Sequence, residues 1–380
     1  MFNLLTTGFK IVFTPSTFLL IAGGTILGVI FGAMPGVSAS MAVALALPFT
    51  YVMDPVIAIA FLVAVYCASI TGGGITAILF KIPGTPSSAP TTFDGYPMTE
   101  RGEAGRALGF SLFASAVGGM FSAFAMALIS PQLASVALRF GPSEVFAVSF
   151  LGLSVLSCLD SDNIIKTLIS GLLGLLLACV GMDPMLGIAR FTWGSSILLS
   201  GIEMIPVMIG LFAVTEVLKQ TKEHKTIDTG DSASTNLTTV LPSLKEIWET
   251  KMTMLRGSVI GTIVGILPGA GATIAAFLAY AIEKKVSKHP ELLGTGVPDG
   301  IVAPEAANNA ATGGSMVPLL SLGIPGGNAA AIMMTALILK GVQIGPLLIK
   351  TQPRYLSAVF SSMFVTNIIM VIVAMAVAKV

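Results

Sequence analysis

Apolar runs follow one another along almost the whole chain, at roughly 11–34, 37–53, 56–70, 74–82, 107–130, 144–158, 164–181, 195–218, 257–282, 301–322, 326–349 and 355–378. Several approach the ~20 residues that a helix needs to cross a bilayer. Others are shorter, or are cut by glycine and proline. In hydrocarbon each backbone N–H and C=O needs an internal partner, so such runs become helices. Composition agrees: hydrophobic residues make up 54% of the chain and charged residues 10%, against about 25% charged in soluble domains. The expected fold class is an all-α polytopic membrane protein. The run at 11–34 reads as its first membrane element, because no basic n-region and small-residue cleavage site mark a signal peptide. A net charge of +1 implies no nucleic-acid or acidic partner. Cys67, Cys158 and Cys179 sit in or beside apolar runs and read as small buried hydrophobes. His224 and His289 lie in polar loops, where no metal cluster can be assembled from them.

Two of the runs are broken in the same way. "GVIFGAMPGVSAS" at Gly28–Ser40 and "GTIVGILPGAGAT" at Gly261–Thr273 both reach a Pro-Gly break and continue with small and hydroxyl residues. At an offset of 233, Gly24, Gly28, Gly32, Pro35 and Gly36 fall on Gly257, Gly261, Gly265, Pro268 and Gly269. Glycines spaced by four line one helix face and permit close helix contact. A second pair follows: "TGGGITAILFKIPGTPSS" (Thr71–Ser88) parallels "TGGSMVPLLSLGIPGGNA" (Thr312–Ala329), with Ile82–Gly84 and Ile324–Gly326 lying 242 apart. Each unit reads as a glycine break, a short apolar piece and a second break. The expectation is two repeats, each with a re-entrant or broken hairpin and a discontinuous helix. The inverted orientation is favoured because it gives two equivalent states; the sequence itself does not settle it.

The domain reading follows. Residues 1–218 hold the first repeat (1–106) and scaffold helices (107–218). Residues 219–256 form a polar cytoplasmic linker, with six Lys/Arg against five Asp/Glu. Residues 257–380 hold the second repeat. A further basic loop at 283–300 places both flanks of the 257–282 segment on the cytoplasmic side. That segment then enters and returns, with arms of 11 and 12 residues (Gly257–Leu267 and Gly271–Ile282) around a Pro268-Gly269 tip. At 1.5 Å per residue each arm reaches about 17–18 Å, roughly half a bilayer.

A broken helix leaves backbone amides and carbonyls unpaired, and paired broken helices in corresponding halves point to a transporter binding site near the midplane. Helix N-termini bind carboxylates through free amides. The candidate substrate-binding residues are therefore Pro35, Gly36, Ser38 and Ser40 at the first tip, and Pro268, Gly269, Gly271 and Thr273 at the second. Gly84, Thr85 and Ser87 at the first Ile-Pro-Gly break join Gly326 and Asn328 at the second. Carbonyls exposed at the glycine breaks, Gly72, Gly73, Gly313 and Gly314 with Ser315, are the candidate sodium ligands. In "APEAANNAATGGS", Glu305, Asn308 and Asn309 stand at i,i+3 and i,i+4, and an ionisable group in an apolar setting is a functional candidate. Ordinary helix capping is the plain alternative for the serines, and snorkelling to the interface is the better reading for Lys81 and Lys340. "TFDGYPMTERGEAGRALG" reads as a surface loop with a turn at Asp94-Gly95 that could dock a partner, and Asp160, Asp162 and Asp183 read as solvated.

"GAMPGVSASMAVALALPFTY", "GGGITAILFKIPGTPSSAPTTFDGYPMTERGEAGRALG", "ILPGAGATIAAFLAY" and "APEAANNAATGGSMVPLLSLGIPGG" resemble the large membrane subunit of tripartite tricarboxylate transporters, the TctA type, over nearly the whole chain. The resemblance implies a multi-pass carrier of the bacterial inner membrane that imports carboxylates. It implies a small four-helix membrane subunit and a periplasmic substrate-binding protein as partners, beside membrane lipid. It implies Na+ or H+ as coupling ion and no other cofactor. Members usually run longer, so the second repeat is expected to be truncated after Val380. By analogy with other hairpin-bearing carriers, the repeats would move against the 107–218 scaffold. An anion-selective channel or a stand-alone carboxylate carrier is the alternative. No HExxH, no GxSxG and no membrane-embedded Ser-His or Asp-Asp pair marks an intramembrane enzyme.

Overall fold

The computed structural model describes residues 2–139, 164–183, 187–202 and 238–378, with isolated positions at 141, 143, 144, 146, 147, 150 and 207. Cys158, Asp160, Asp162, His224 and linker residues 219–237 lie outside the described residues. Packing divides the chain into Met1–Leu138 with Glu223–Val380, and Arg139–Lys222.

In the larger unit the helices are α1 (Phe2–Val12), α2 (Pro15–Ala33), α3 (Ala39–Ala46), α4 (Pro55–Phe80), α5 (Thr92–Glu100) and α6 (Ala104–Ala137). The smaller unit contributes α7 (Ile164–Ala178). The larger one resumes with α8 (Leu244–Ile266), α9 (Gly271–Val286), α10 (Pro298–Leu322), α11 (Asn328–Leu339), α12 (Leu348–Thr351) and α13 (Pro353–Val377). Four of the described helices, α2, α4, α6 and α13, are long and apolar enough to cross a membrane.

Two glycine seams organise the larger unit. On α2, Cβ atoms added at Gly24 and Gly28 would lie 2.7 Å from the Phe61 carbonyl and 2.6 Å from the Val65 carbonyl of α4. Gly32 lies as close to the Ser69 carbonyl. On α8, Gly257, Gly261 and Gly265 meet the carbonyls of Ala303, Ala307 and Ala311 of α10 in the same way. The donors of these contacts differ by 233 in number and the acceptors by 242, the two offsets already read from the sequence. Helix α10 is buried on every side from Gly300 to Ser321, packed by α6, α8 and α9. Helix α13 packs across α4 and α6 and carries α1.

Several expectations need correction. The glycine triplet at 72–74 and the glycine pair at 313–314 are not breaks, because α4 and α10 run through them. Their glycines serve close approach instead: Gly72 faces the Val29 carbonyl and Gly314 the Thr262 carbonyl, at the equivalent place in each half. The arm before the second tip is not 11 residues long. It is the end of α8, which starts at Leu244 inside the stretch read as linker, under a Ser243–Glu246 capping box. Helix α6, within the expected scaffold, packs directly on α10 in the same unit, with Gly118 against the Ala306 backbone. Residues 92–100 are helical rather than a surface loop, and Asp94 is buried.

In the smaller unit, α7 exposes Ile169, Leu172, Leu173 and Leu176. A short antiparallel hairpin pairs Gly181–Met182 with Ala189–Arg190. Asp183, expected to be solvated, is buried against Arg190. Cys67 is buried as expected, whereas Cys179 is exposed.

Candidate functional site

Each half breaks twice, at a Pro-Gly tip and at an Ile-Pro-Gly segment. At the first tip α2 ends at Met34, Gly36 turns with φ +90°, and Ser38 caps α3 by accepting the Met41 amide at 3.2 Å. Ser38 and Ser40 share a 2.8 Å hydroxyl hydrogen bond. At the second tip Gly269 and Gly271 take φ +81° and +64°, and α9 starts at Gly271. Positive φ at these positions favours glycine, which has no Cβ to clash.

The Ile-Pro-Gly segments end α4 and α10. Lys81 and Gly323 are the left-handed C-caps, at φ 58° and 76°. The chain then hooks back on its own helix. The Ile82 and Ile324 amides each donate at 3.3 Å to the Thr76 and Pro318 carbonyls; Gly84 donates to Gly73 at 3.2 Å and Gly326 to Ser315 at 3.3 Å. A Cβ at Gly84 would strike the Gly32 carbonyl, and one at Gly326 the Gly265 carbonyl. Each hook therefore sits on the end of the helix that leads into the tip of its own half. In the second half they also bond, the Gly269 amide donating to the Gly326 carbonyl at 3.1 Å. Across the halves, α3 packs on α11, and α9 on the Pro86–Ser88 turn.

Among the residues expected to bind substrate, Gly84, Thr85 and Ser87 come together with Asn308 and Asn309. Thr85 hydrogen-bonds Ser87 at 3.1 Å and Ser88 at 3.0 Å. Asn308 reaches the Ser87 carbonyl at 3.5 Å, and Asn309 donates to Asn308 at 2.7 Å. Thr71 of α4 donates to Asn309 at 2.8 Å. Pro35, Gly36 and Asn328 are exposed; Ser38, Ser40, Pro268, Gly269, Gly271 and Thr273 are half-buried. The first hook is closed and polar, while both tips and the start of α11 remain open to an incoming molecule.

The expected sodium ligands fare differently. Gly72, Gly73 and Gly313 lie inside continuous helices, where carbonyls accept the i+4 amide. The carbonyls of Gly73 and Ser315 also take the hook amides. Gly314 alone of the five lacks an i+4 amide partner, because residue 318 is proline.

Sequence reasoning passed over several partners. Tyr66 hydrogen-bonds Ser315 at 3.1 Å. Thr91 and Ser115 donate to Glu305 at 2.6 and 3.0 Å. Asp94 accepts the Gly294, Gly296 and Val297 amides and the Tyr280 hydroxyl, all at 2.9–3.0 Å, and so holds the entry to α10. "LGTGVPDG" carried that signal as a glycine-rich turn before a helix. Outside the membrane helices, Arg256 clasps buried Glu283, and Thr253 bridges Glu283 to Asp299 at 3.1 and 2.6 Å. Glu246 is held below the usual carboxylate range, first by the Ser243 amide, then by the Ser243 hydroxyl, with Arg106 adding to both. Lys340 donates to the Tyr51 and Met53 carbonyls at 3.2 and 3.0 Å, a fixed cap rather than a free snorkel.

Long apolar helices interrupted at glycine-proline breaks define a helical membrane protein. The chain belongs to the tripartite tricarboxylate transporter TctA family, whose profile matches residues 18–380. It is 37% identical over 368 residues to an uncharacterised 52.8 kDa protein in the TAR-I ttuC' 3' region of Agrobacterium vitis, covering 97% of this chain and 73% of that one. It is 42% identical over 112 residues to an uncharacterised protein in the TAR-II ttuC' 3' region of the same organism, covering 30% of this chain and 46% of the relative. No solved structure matches the chain. Family membership makes the chain a membrane subunit of a tricarboxylate transporter, within a tripartite system that includes partner subunits.

Proposed function

We propose that the chain imports carboxylates of the tricarboxylate class by ion-coupled secondary transport, through one site built from two repeats. The repeats are residues 1–106 and 257–380, in inverted orientation. A single observation carries this reading. The hook recurs in both halves with the same hydrogen bonds to its own helix and the same glycine contact to the helix that leads into the tip, and the halves pack across each other at α3 on α11 and α9 on Pro86–Ser88. Two equivalent arrangements about one site are what alternating access requires.

In this reading the substrate carboxylates meet the amides and hydroxyls of Ser38, Ser40, Gly269, Gly271 and Thr273, with Asn328 at the start of α11. Thr85, Ser87, Asn308 and Asn309 form the closed polar wall. No arginine or lysine is needed at that point, since helix N-termini carry the equivalent of about half a positive charge each. A small four-helix membrane subunit and a periplasmic binding protein complete the system in the bacterial inner membrane, and Na+ or H+ drives uptake.

The test is uptake of labelled tricarboxylate into proteoliposomes holding the chain, the small subunit and the binding protein, with and without an inward Na+ or H+ gradient. Accumulation above the outside concentration that needs the gradient supports the proposal. Equilibration alone under every gradient would replace the carrier with an anion channel.

A further inference from the structure

Glu305 is fully buried on α10; Thr91 donates to one carboxylate oxygen at 2.6 Å and Ser115 of α6 to the other at 3.0 Å, and the neutral Asn308 side chain adds a further contact. No ion pair reaches it among the described residues. The other buried carboxylates of the larger unit are treated differently. Glu283 is clasped by Arg256, and Asp94 is wrapped by three backbone amides and a phenol. A buried carboxylate with two hydroxyl donors and no cation is costly as a bare ion.

A second observation falls at the same place. The Ser111 hydroxyl is buried and has no hydrogen-bond partner among the described residues. A Cβ built on Gly74 would lie 2.9 Å from Ser111 Oγ and 3.0 Å from Glu305 Oε1. Gly74 thus lets α4 approach a carboxylate oxygen and an orphan hydroxyl oxygen that both lie close to the same point. The oxygens gathered on this carboxylate come from three places, Glu305 on α10, Ser111 and Ser115 on α6, and Thr91 just before α5, and Gly74 of α4 packs beside them.

We propose that Glu305, Thr91, Ser111 and Ser115 form a site for a monovalent cation, a proton on the carboxyl or a sodium ion among the oxygens. One positive charge leaves the buried site neutral. All its ligands are oxygens, which suits a hard cation, whereas the candidate glycine carbonyls of α4 and α10, Gly314 excepted, are already engaged in their helices. The site communicates with the polar wall: Asn309 donates to the Glu305 backbone carbonyl at 3.2 Å and to Asn308, which reaches the Ser87 carbonyl. Loading the cation therefore bears on the groups that line the first hook. This assignment rests on the carrier reading above and deepens it by naming where the coupling ion sits.

The experiment uses the purified full chain with its small subunit. Thermal stability is measured in NaCl against choline chloride at equal ionic strength, from pH 6 to 8, for wild type, Glu305→Gln, Ser111→Ala and Gly74→Ala. If the ion is sodium, NaCl raises the wild-type midpoint. Glu305→Gln and Gly74→Ala abolish that shift, and Ser111→Ala raises the half-saturating Na+ about tenfold, as loss of a supporting group does at metal sites. If the ion is a proton, NaCl has no specific effect, and the wild-type stability changes with pH while that of Glu305→Gln does not. Wild-type sodium and pH responses retained in Glu305→Gln overturn the proposal. Should Glu305→Gln fail to fold, Ser111→Ala, which keeps the carboxylate, decides the sodium arm, and Glu305→Asp, by shifting the pH response, decides the proton arm; an unmoved response in each overturns it. Stabilisation of the wild type by added tricarboxylate, read in the same preparation, tests the substrate site separately.

Discussion

Gly24 and Gly257 occupy equivalent places, and a Cβ at either would lie 2.7 Å from a carbonyl oxygen, of Phe61 or of Ala303. Gly24→Ala and Gly257→Ala are therefore expected to cost nearly the same. Ordinary contact begins at 3.4 Å, so each seam must open by roughly 0.7 Å. Overpacking of this kind costs about 1–3 kcal/mol, while replacing glycine by alanine inside a helix returns up to about 1 kcal/mol. Gly23 isolates the second effect. It lies next to Gly24 on the same helix, and nothing stands within 4 Å of its added Cβ. Gly23→Ala should stabilise slightly, and the gap between it and either seam variant should be about 1–3 kcal/mol. Thermal unfolding in detergent reads this difference. Seam variants as stable as Gly23→Ala would refute the close-packed seams. A large gap for Gly24 with none for Gly257 would refute their equivalence.

Three further outcomes follow from local geometry. Lys81 is a left-handed C-cap where the other half uses Gly323; Lys81→Gly should stabilise by up to about 1 kcal/mol, and Gly323→Ala should destabilise by about 1–2 kcal/mol, both read by thermal melts. Glu246 has a depressed folded-state pKa, so its contribution is present above the ordinary carboxylate value of about 4.3 and is lost as pH falls through the lowered one. The stability gap between wild type and Glu246→Gln should therefore close on acidification, and a gap that widens would contradict the sign. Asp94→Asn gives up charged acceptors for three amides and should cost about 1.5–3 kcal/mol, seen as faster proteolysis near 294–297.

The tips were legible because their signals are local: Pro-Gly after an apolar run, then Ser38 or Gly271 opening the next helix. The glycine runs at 72–74 and 313–314 misled for the opposite reason. Gly72, Gly74 and Gly314 look like breaks when read along the chain, but what they serve is a neighbouring helix, where Val29, Ser111 with Glu305, and Thr262 take the space a side chain would fill. The start of α8 was concealed by polar composition, although Ser243 and Glu246 stood at capping-box spacing. Asp94 read as a turn because its amide donors lie about two hundred residues away. Glu305 and its asparagines stood out as polar groups in apolar surroundings, while Thr91 and Ser115 could be matched to them only through the packing of α6 and the first hook.

The central claim is that both halves contribute to one carboxylate site. The direct measurement is the concentration dependence of tricarboxylate uptake for Ser38→Ala, from the first tip, and Thr273→Ala, from the second, in proteoliposomes with both partners. The account predicts that each substitution raises the half-saturating substrate concentration with similar amounts of protein in the membrane, by about tenfold for a lost bond to a charged group. If one half moves the affinity and the other leaves it unchanged, the shared site is contradicted.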